Sequence, residues 1–223
     1  MHQEIQSTAD GSPTLYVPEL DEHYHSVKGA LTESVHIFVH TGLDHHPSPA
    51  PRVLEIGFGT GLNAFVTLLQ AEKEPRRGVD YTGIEYYPPT MECLRKMDYP
   101  AFVCPERSED YWLLHEAPWG VPTAITPYFR LTKIQADFTA WIPQGEYDVV
   151  YFDAFAPEKQ PEMWSPLLIG RLFGCLAPGG IFVTYCAKGV VRRMLQAEGF
   201  MVERLPGPPG GKREILRGTK PLQ

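Results

Sequence analysis

No stretch of this 223-residue sequence carries the roughly 18 consecutive apolar residues that a membrane-spanning helix needs. The start, Met1-His2-Gln3-Glu4-Ile5, has neither the basic n-region nor the apolar segment of a secretory signal, so a cytoplasmic protein with no membrane partner is expected. Only four cysteines occur, Cys93, Cys104, Cys175 and Cys186, and no two form a CxxC pair. Free, mostly buried thiols in a reducing compartment fit that spacing better than a metal or disulfide framework. His36 and His40 share a helical face and His23 and His25 sit close in sequence, but no third ligand has fixed spacing, so no metal is expected. A phosphate-binding GxxxxGK[ST] loop and a nucleophile elbow are missing too.

Positive charge is also scarce, since the net charge is −7, which argues against attraction of the whole protein to nucleic acid. Its distribution is uneven. From Cys186 to Gln223 eight basic residues (Lys188, Arg192, Arg193, Arg204, Lys212, Arg213, Arg217, Lys220) face three acids, a net +5 that leaves −12 on the remainder. A basic C-terminal face on an acidic body suits local phosphate contact, and an ordinary solvated surface would look the same.

With 43% hydrophobic residues the chain can bury the core of one domain spanning 1–223. Residues 1–50 read as an irregular extension, with Leu15-Tyr16-Val17 as a short strand. Leu31, Val35, Phe38 and Val39 mark a helical face behind Thr32 as a candidate cap. A strand–helix rhythm then predicts strands at 53–56, 80–86, 128–135, 147–152, 181–186, 200–205 and 213–217. Helices are predicted at 62–73, 89–97, around 107–116, 165–176 and 189–198. This alternation implies an α/β fold with a mostly parallel, doubly wound sheet. The last two strands are joined only by Pro206-Gly207-Pro208-Pro209-Gly210-Gly211, which makes them an antiparallel pair at the sheet edge.

The most informative segment is Val53-Leu54-Glu55-Ile56-Gly57-Phe58-Gly59-Thr60-Gly61-Leu62-Asn63. It combines an apolar strand, an acid and three alternating glycines before a helix. Glycine permits left-handed dihedrals and lets a ligand lie against bare backbone, so a nucleoside-type cofactor at the strand's carboxyl end is the first hypothesis. The dinucleotide fingerprint would place its third glycine three residues after the second, and Leu62 stands there. The Gly57-x-Gly59-x-Gly61 spacing looks instead like the first motif of S-adenosylmethionine-dependent methyltransferases.

Other residues extend this site. Glu85 ends the second strand 24 residues past Gly61, where a carboxylate can accept from both ribose hydroxyls. Asp137-Phe138 follows the third main strand. Asp137 could accept from an adenine amino group while Phe138 packs nearby, or it could cap a short helix around Trp141. The near-continuously apolar run Tyr147–Phe152 delivers Asp153 to the carboxyl edge beside the glycine loop. Asp153 could hold an amino group of the cofactor or take a proton from an attacking amine. Phe155 and Trp164 would flank a planar or cationic acceptor, or belong to the core. Lys212-Arg213 beside Gly210-Gly211 could contact phosphate or solvent.

The combination of Glu55-Ile56-Gly57-Phe58-Gly59-Thr60-Gly61-Leu62-Asn63 with Phe152-Asp153-Ala154-Phe155-Ala156-Pro157-Glu158-Lys159-Gln160-Pro161-Glu162-Met163-Trp164 resembles the methyltransferase domain of the tRNA 5-methylaminomethyl-2-thiouridine biosynthesis family. The likeness extends upstream to Tyr24-His25-Ser26 and Gly29-Ala30-Leu31-Thr32-Glu33-Ser34. Downstream it runs through Gly189-Val190-Val191-Arg192-Arg193-Met194-Leu195 to Lys212-Arg213-Glu214-Ile215-Leu216, about residues 15 to 218 in all. Ala154 replaces the family's usual glycine, and Pro208-Pro209-Gly210-Gly211 replaces a Gly-Phe-Gly-type loop.

The resemblance implies a Rossmann-like fold and methyl transfer from S-adenosyl-L-methionine to the aminomethyl nitrogen of a wobble uridine in tRNA. Cofactor contacts would come from Glu55, Gly57, Phe58, Gly59, Gly61, Asn63, Glu85, Asp137, Phe138 and Asp153. Asp153 is the candidate catalytic residue. Phe155, Trp164, Lys188, Arg192, Lys212 and Arg213 would face the tRNA anticodon region. It also implies a stand-alone enzyme without the flavin-dependent oxidase domain, so no FAD is expected and a separate enzyme would supply the aminomethyl intermediate. Two further readings stay open: an aminopropyltransferase or other small-amine methyltransferase, and a non-catalytic RNA-binding module on the same fold. A nicotinamide dehydrogenase is disfavoured by the missing glycine.

Overall fold

The computed structural model describes residues 3–73 and 78–222; Met1 and His2 of the start read above, and Gln223, lie outside that range. Among the described residues, eight strands form the main sheet. Its centre is parallel: β4 (Arg52–Ile56) lies between β5 (Val79–Glu85) and β8 (Tyr147–Phe152), with β7 (Phe129–Gln135) beyond β5 and β9 (Leu176–Thr184) beyond β8. β10 (Met201–Pro206) and β11 (Glu214–Thr219) close one edge as the antiparallel pair expected from their proline-glycine connection. At the other edge the short β6 (Thr123–Thr126) pairs antiparallel with β7, a strand not anticipated because it spans only four residues.

Side-chain alternation along the central strands builds two cores. Val53, Tyr81, Val149, Tyr151 and Val183 point to one face, under α2 (Leu62–Lys73), α5 (Ser108–Glu116) and the N-terminal helix. Leu54, Ile56, Val150, Phe152 and Phe182 point to the other, under α6 (Pro166–Cys175) and α7 (Gly189–Glu198). A strand buried on both sides has to be apolar at consecutive positions, which is why 147–152 carries no clear alternation. Burying one such Val, Leu or Phe side chain contributes about 1.5–3 kcal/mol.

Local signals fix the helix starts. Thr90 accepts from the Cys93 amide at 3.2 Å, so α3 (Met91–Met97) begins two residues later than the pattern suggested. Ser165 does the same for Leu168 with Pro166 in the first helical position, so α6 begins at 166. The stretch from Tyr99 adds a short α4 (Tyr99–Val103). β9 starts at Leu176, five residues ahead of expectation, and ends at Thr184.

The N-terminal fifty residues are more ordered than their composition suggested. β1 (Glu4–Ser7), β2 (Pro13–Val17) and β3 (Glu22–His23) form a separate antiparallel sheet. α1 (Ala30–Ser34) follows and continues as a π-helical segment, Val35–Leu43. Thr32 does not cap it. Asp10 accepts from both the amide and the hydroxyl of Thr32, at 2.9 and 2.8 Å, while its other oxygen accepts from Thr8 and Ser12. These bonds hold the Asp10 carboxyl well below the usual carboxylate range, against a partial desolvation that acts the other way. They also fasten the small sheet to α1, and so place Tyr24, His25 and Glu33 over the carboxyl ends of β4 and β8.

Candidate active site

Strand order reverses between β4 and β8, and in doubly wound sheets ligands bind where it does. The two loops that leave these strands touch. Gly57 has φ +94°, and a β-carbon there would lie 2.7 Å from the Asp153 carbonyl oxygen. Gly59, at φ +48°, donates its amide to Glu85 Oε2 at 2.9 Å. Glu85 Oε1 accepts from the Tyr87 amide at 2.8 Å, so the backbone aims this carboxylate.

A cavity of about 820 Å³ opens above these loops, lined among others by Gly57, Asn63, Glu85, Asp137, Phe138 and Asp153. A second cavity, of about 530 Å³, adjoins it and is lined by Glu33, Tyr185, Lys188 and Lys212. Tyr24, His25, Asp153, Ala154 and Phe155 belong to both walls. The Tyr24 ring meets Phe155 edge-on at 5.3 Å, so the partition is aromatic except at Asp153 and Ala154.

Two carboxylates meet behind this partition. Asn63 donates one amide hydrogen to Glu55 Oε1 and the other to Asp153 Oδ2, both at 2.8 Å. Burial pushes Asp153 up to about 7, with the nearby Glu33 charge adding to the rise and Asn63 and Lys212 opposing it. Burial pushes Glu55 up to about 8. A carboxyl that titrates near 7 in a cleft is suited to exchanging protons with an amine.

Comparison with known proteins bears on what the cavities hold. Residues 123–221 match the S-adenosyl-L-methionine-dependent methyltransferase family. The chain is 33% identical to the tRNA 5-methylaminomethyl-2-thiouridine biosynthesis bifunctional protein MnmC of Methylibium petroleiphilum, over 92% of this chain and 32% of that protein. It is also 33% identical to MnmC of Pseudomonas savastanoi, over 98% of this chain and 34% of the relative. Among solved structures, MnmC2 from Aquifex aeolicus aligns with a TM-score of 0.76 and 28% identity, covering all of this chain and 71% of that one.

The chain has the fold of the S-adenosyl-L-methionine-dependent methyltransferases. It spans about a third of the length of the MnmC proteins it matches. Spermidine synthase from Thermotoga maritima aligns with a TM-score of 0.60 at 16% identity, a likeness of fold alone.

The larger cavity fits the cofactor S-adenosyl-L-methionine. Asn63 Oδ1 is buried with no hydrogen-bond partner among the described residues, and it would accept from an ammonium group such as that of a methionine moiety. Gly57 and Gly59 leave room for the ligand's body, and Glu85 keeps lone pairs for ribose hydroxyls. Among the described residues no group of three or more His, Cys, Asp or Glu side chains converges as metal ligands would, and no helix is long and apolar enough to cross a membrane.

Several expected site residues are placed differently. Glu55 is 0% exposed and does not reach the cavity wall, and its contact with the site runs through Asn63. Gly61 also lies off the wall; its α-carbon faces His115 instead. Phe58 lines the cavity only at its edge, since most of its ring lies on Gly83 and against His115 and Trp119. Asp137 caps no helix: it accepts from the Thr139 amide and hydroxyl, at 2.8 and 2.7 Å, in a turn on the cavity rim. Trp164 packs edge-on against Phe152 in the core and donates to the Phe155 carbonyl at 2.8 Å, so it positions the partition without facing an acceptor.

Lys188 and Lys212 line the second cavity, whereas Arg192 and Arg213 line neither. Most of the basic C-terminal charge is answered within the molecule. Lys188 pairs with Glu158, Arg204 with Glu214, Lys212 with Glu33 and Arg217 with Glu203, while Lys220 donates to two carbonyls.

Residues not singled out from the sequence complete the site. Tyr24, His25 and Glu33 sit in the upstream segments that carried the family likeness, but nothing there assigned them a role. Tyr111 and His115 both donate to the Thr60 carbonyl, at 2.9 and 3.1 Å, and so anchor the glycine loop from below. Lys133, 2% exposed, donates to the His115 carbonyl and lies 4.9 Å over the Trp119 ring; burial lowers its pKa to about 8.

Proposed function

We propose that this methyltransferase acts on tRNA, methylating the aminomethyl nitrogen of 5-aminomethyl-(2-thio)uridine at the wobble position to give 5-methylaminomethyl-(2-thio)uridine. The observation that carries this reading is Asp153, a carboxyl titrating near 7 on the partition between a cofactor-shaped cavity and a second cavity. The printed name of the MnmC relatives supplies the substrate class. Bound in the larger cavity, S-adenosyl-L-methionine supplies the electrophilic methyl group.

The chain's own residues then have three tasks. Glu85, Asn63 and the bare backbone at Gly57 and Gly59 fix the cofactor's orientation, because alignment of nitrogen, carbon and sulfur dominates a displacement of this kind. Asp153 takes the proton from the incoming ammonium, whose nitrogen otherwise has no lone pair to attack with. Tyr24 and Phe155 wall the transfer point from water. Lys188, Arg192 and Arg213 on the C-terminal face contact tRNA phosphates around the anticodon. The reaction runs in the cytoplasm and its chemistry calls on no metal, and the aminomethyl group is installed before this step.

The test is methyl transfer from labelled S-adenosyl-L-methionine to tRNA from cells lacking this gene, followed by nucleoside analysis. Label in a 5-methylaminomethyl-type uridine, abolished by Asp153→Ala, is the expected result. Label absent from every tRNA nucleoside despite intact cofactor binding rejects the reading, as does near-normal turnover of the variant. Methylthioadenosine among the products would point to aminopropyl transfer instead.

A further inference from the structure

The second cavity already holds an alkylammonium group. Lys212 Nζ lies 2.6 Å from Glu33 Oε1 and 4.2 Å from the centroid of the Tyr185 ring. Glu33 is 5% exposed, and its other oxygen accepts from the Ser26 amide at 2.8 Å, so the carboxylate is held in one orientation. Tyr185 is held as well, since its hydroxyl donates to the Ala154 carbonyl at 2.9 Å. A fixed anion on one side and an aromatic face on the other form a corner that attracts a cation by charge and by the ring quadrupole. Both residues line the cavity that Asp153 also lines.

Lys212, in contrast, is replaceable. Its side chain is 37% exposed, and it leaves a connection with glycines at 207, 210 and 211. Gly210 takes φ +71° and has no heavy atom within 4 Å of where a β-carbon would stand, so this loop is open on the outside.

We propose that the Glu33–Tyr185 corner is the recognition subsite for the acceptor's ammonium group, and that Lys212 occupies it in the absence of acceptor as an internal competitor. This rests on the amine-methylation reading above. The substrate's ammonium displaces Lys212 Nζ and docks on the Glu33 carboxylate. It then passes one proton to Asp153, and the freed nitrogen lone pair forms the new nitrogen–carbon bond as the carbon–sulfur bond breaks. Lys212, released at the cavity mouth, faces the phosphates that accompany a nucleotide acceptor. Glu33 thereby selects a cationic arm over a neutral or anionic one at the same ring position.

The test uses the full chain with 5-aminomethyluridine as free nucleoside, which carries no phosphate and so isolates the ammonium contact. Steady-state kinetics at saturating S-adenosyl-L-methionine are compared for the wild type, Glu33→Gln and Lys212→Met, with cofactor Kd as the check on folding. Expected results are an acceptor KM raised tenfold or more in Glu33→Gln and lowered severalfold in Lys212→Met, with cofactor Kd unchanged in both. An unchanged KM in Glu33→Gln overturns the proposal. So does a Lys212→Met variant weakened like Glu33→Gln, because the pair would then be a structural tie only. A wild type that methylates neither the nucleoside nor tRNA overturns the parent reading, and this one with it.

Discussion

Asn63 gives both hydrogens of one amide to two buried carboxylates, and its replacement tests the chemistry at the partition directly. Asn63→Leu keeps the volume and removes both donors. A hydrogen bond to a charged group contributes about 1.5–3 kcal/mol, and about 1.4 kcal/mol corresponds to one pKa unit. Asp153 should therefore rise by about 1–2 units from its starting point of about 7, with Glu33 and Lys212, the other charges that act on it, left in place. At about pH 7.5 its ionised fraction then falls from about three quarters to between about one quarter and one thirtieth. Turnover with saturating cofactor should drop about 3- to 25-fold at that pH and recover in alkali. Single-turnover methylation of tRNA across the pH range reads this as an acid limb displaced upward by about 1–2 units. An acid limb left in place, with the rate lower at every pH, would refute the argument and confine Asn63 to cofactor binding.

Two further outcomes follow from the same loops. Glu55 titrates at about 8 in the folded protein against about 4.3 in an unfolded chain, so the native state keeps a proton that the unfolded state releases. Its share of stability is complete below about pH 4 and is lost as pH climbs through about 8; melting temperatures of Glu55→Gln should gain steadily on the wild type across that window, and parallel curves would show that Glu55 ionises normally. Gly57→Ala places a methyl 2.7 Å from the Asp153 carbonyl oxygen at φ +94°. Left-handed backbone alone costs about 1–2 kcal/mol, so calorimetry should show S-adenosyl-L-methionine binding weakened about tenfold or more, and an unaltered Kd would mean that the loop shifts freely.

The parts of this protein that were legible in its sequence are those written in contiguous segments. Strand 53–56, its glycines and strand 147–152 ending at Asp153 could be read because each is one uninterrupted run whose pattern matches its burial. What escaped notice is built from contacts between distant residues. Lys212 meets Glu33 across 179 positions, so the basic C-terminal segment gave no sign that most of its charge is already matched. The N-terminal sheet rests on Asp10 reaching Thr32, which no local periodicity encodes. Trp164 and Phe155 are both aromatic and nine residues apart; only packing reveals that one lies in the core and the other on the partition. Glu55 looked like a ligand contact because acids end such strands, but its side chain turns into the core beneath Asn63.

The shared wall of Tyr24, His25, Asp153 and Phe155 has a pharmacological consequence. A molecule carrying an adenosine head in the larger chamber and a basic pyrimidine in the smaller, joined by a few atoms alongside Asp153, would make its second association intramolecular. Tethering of this kind can raise avidity about 10²- to 10⁴-fold without any new contact. The adenosine half alone would bind many enzymes of this fold. The other half would enter a chamber roofed by this chain's own N-terminal hairpins, and selectivity would come from there.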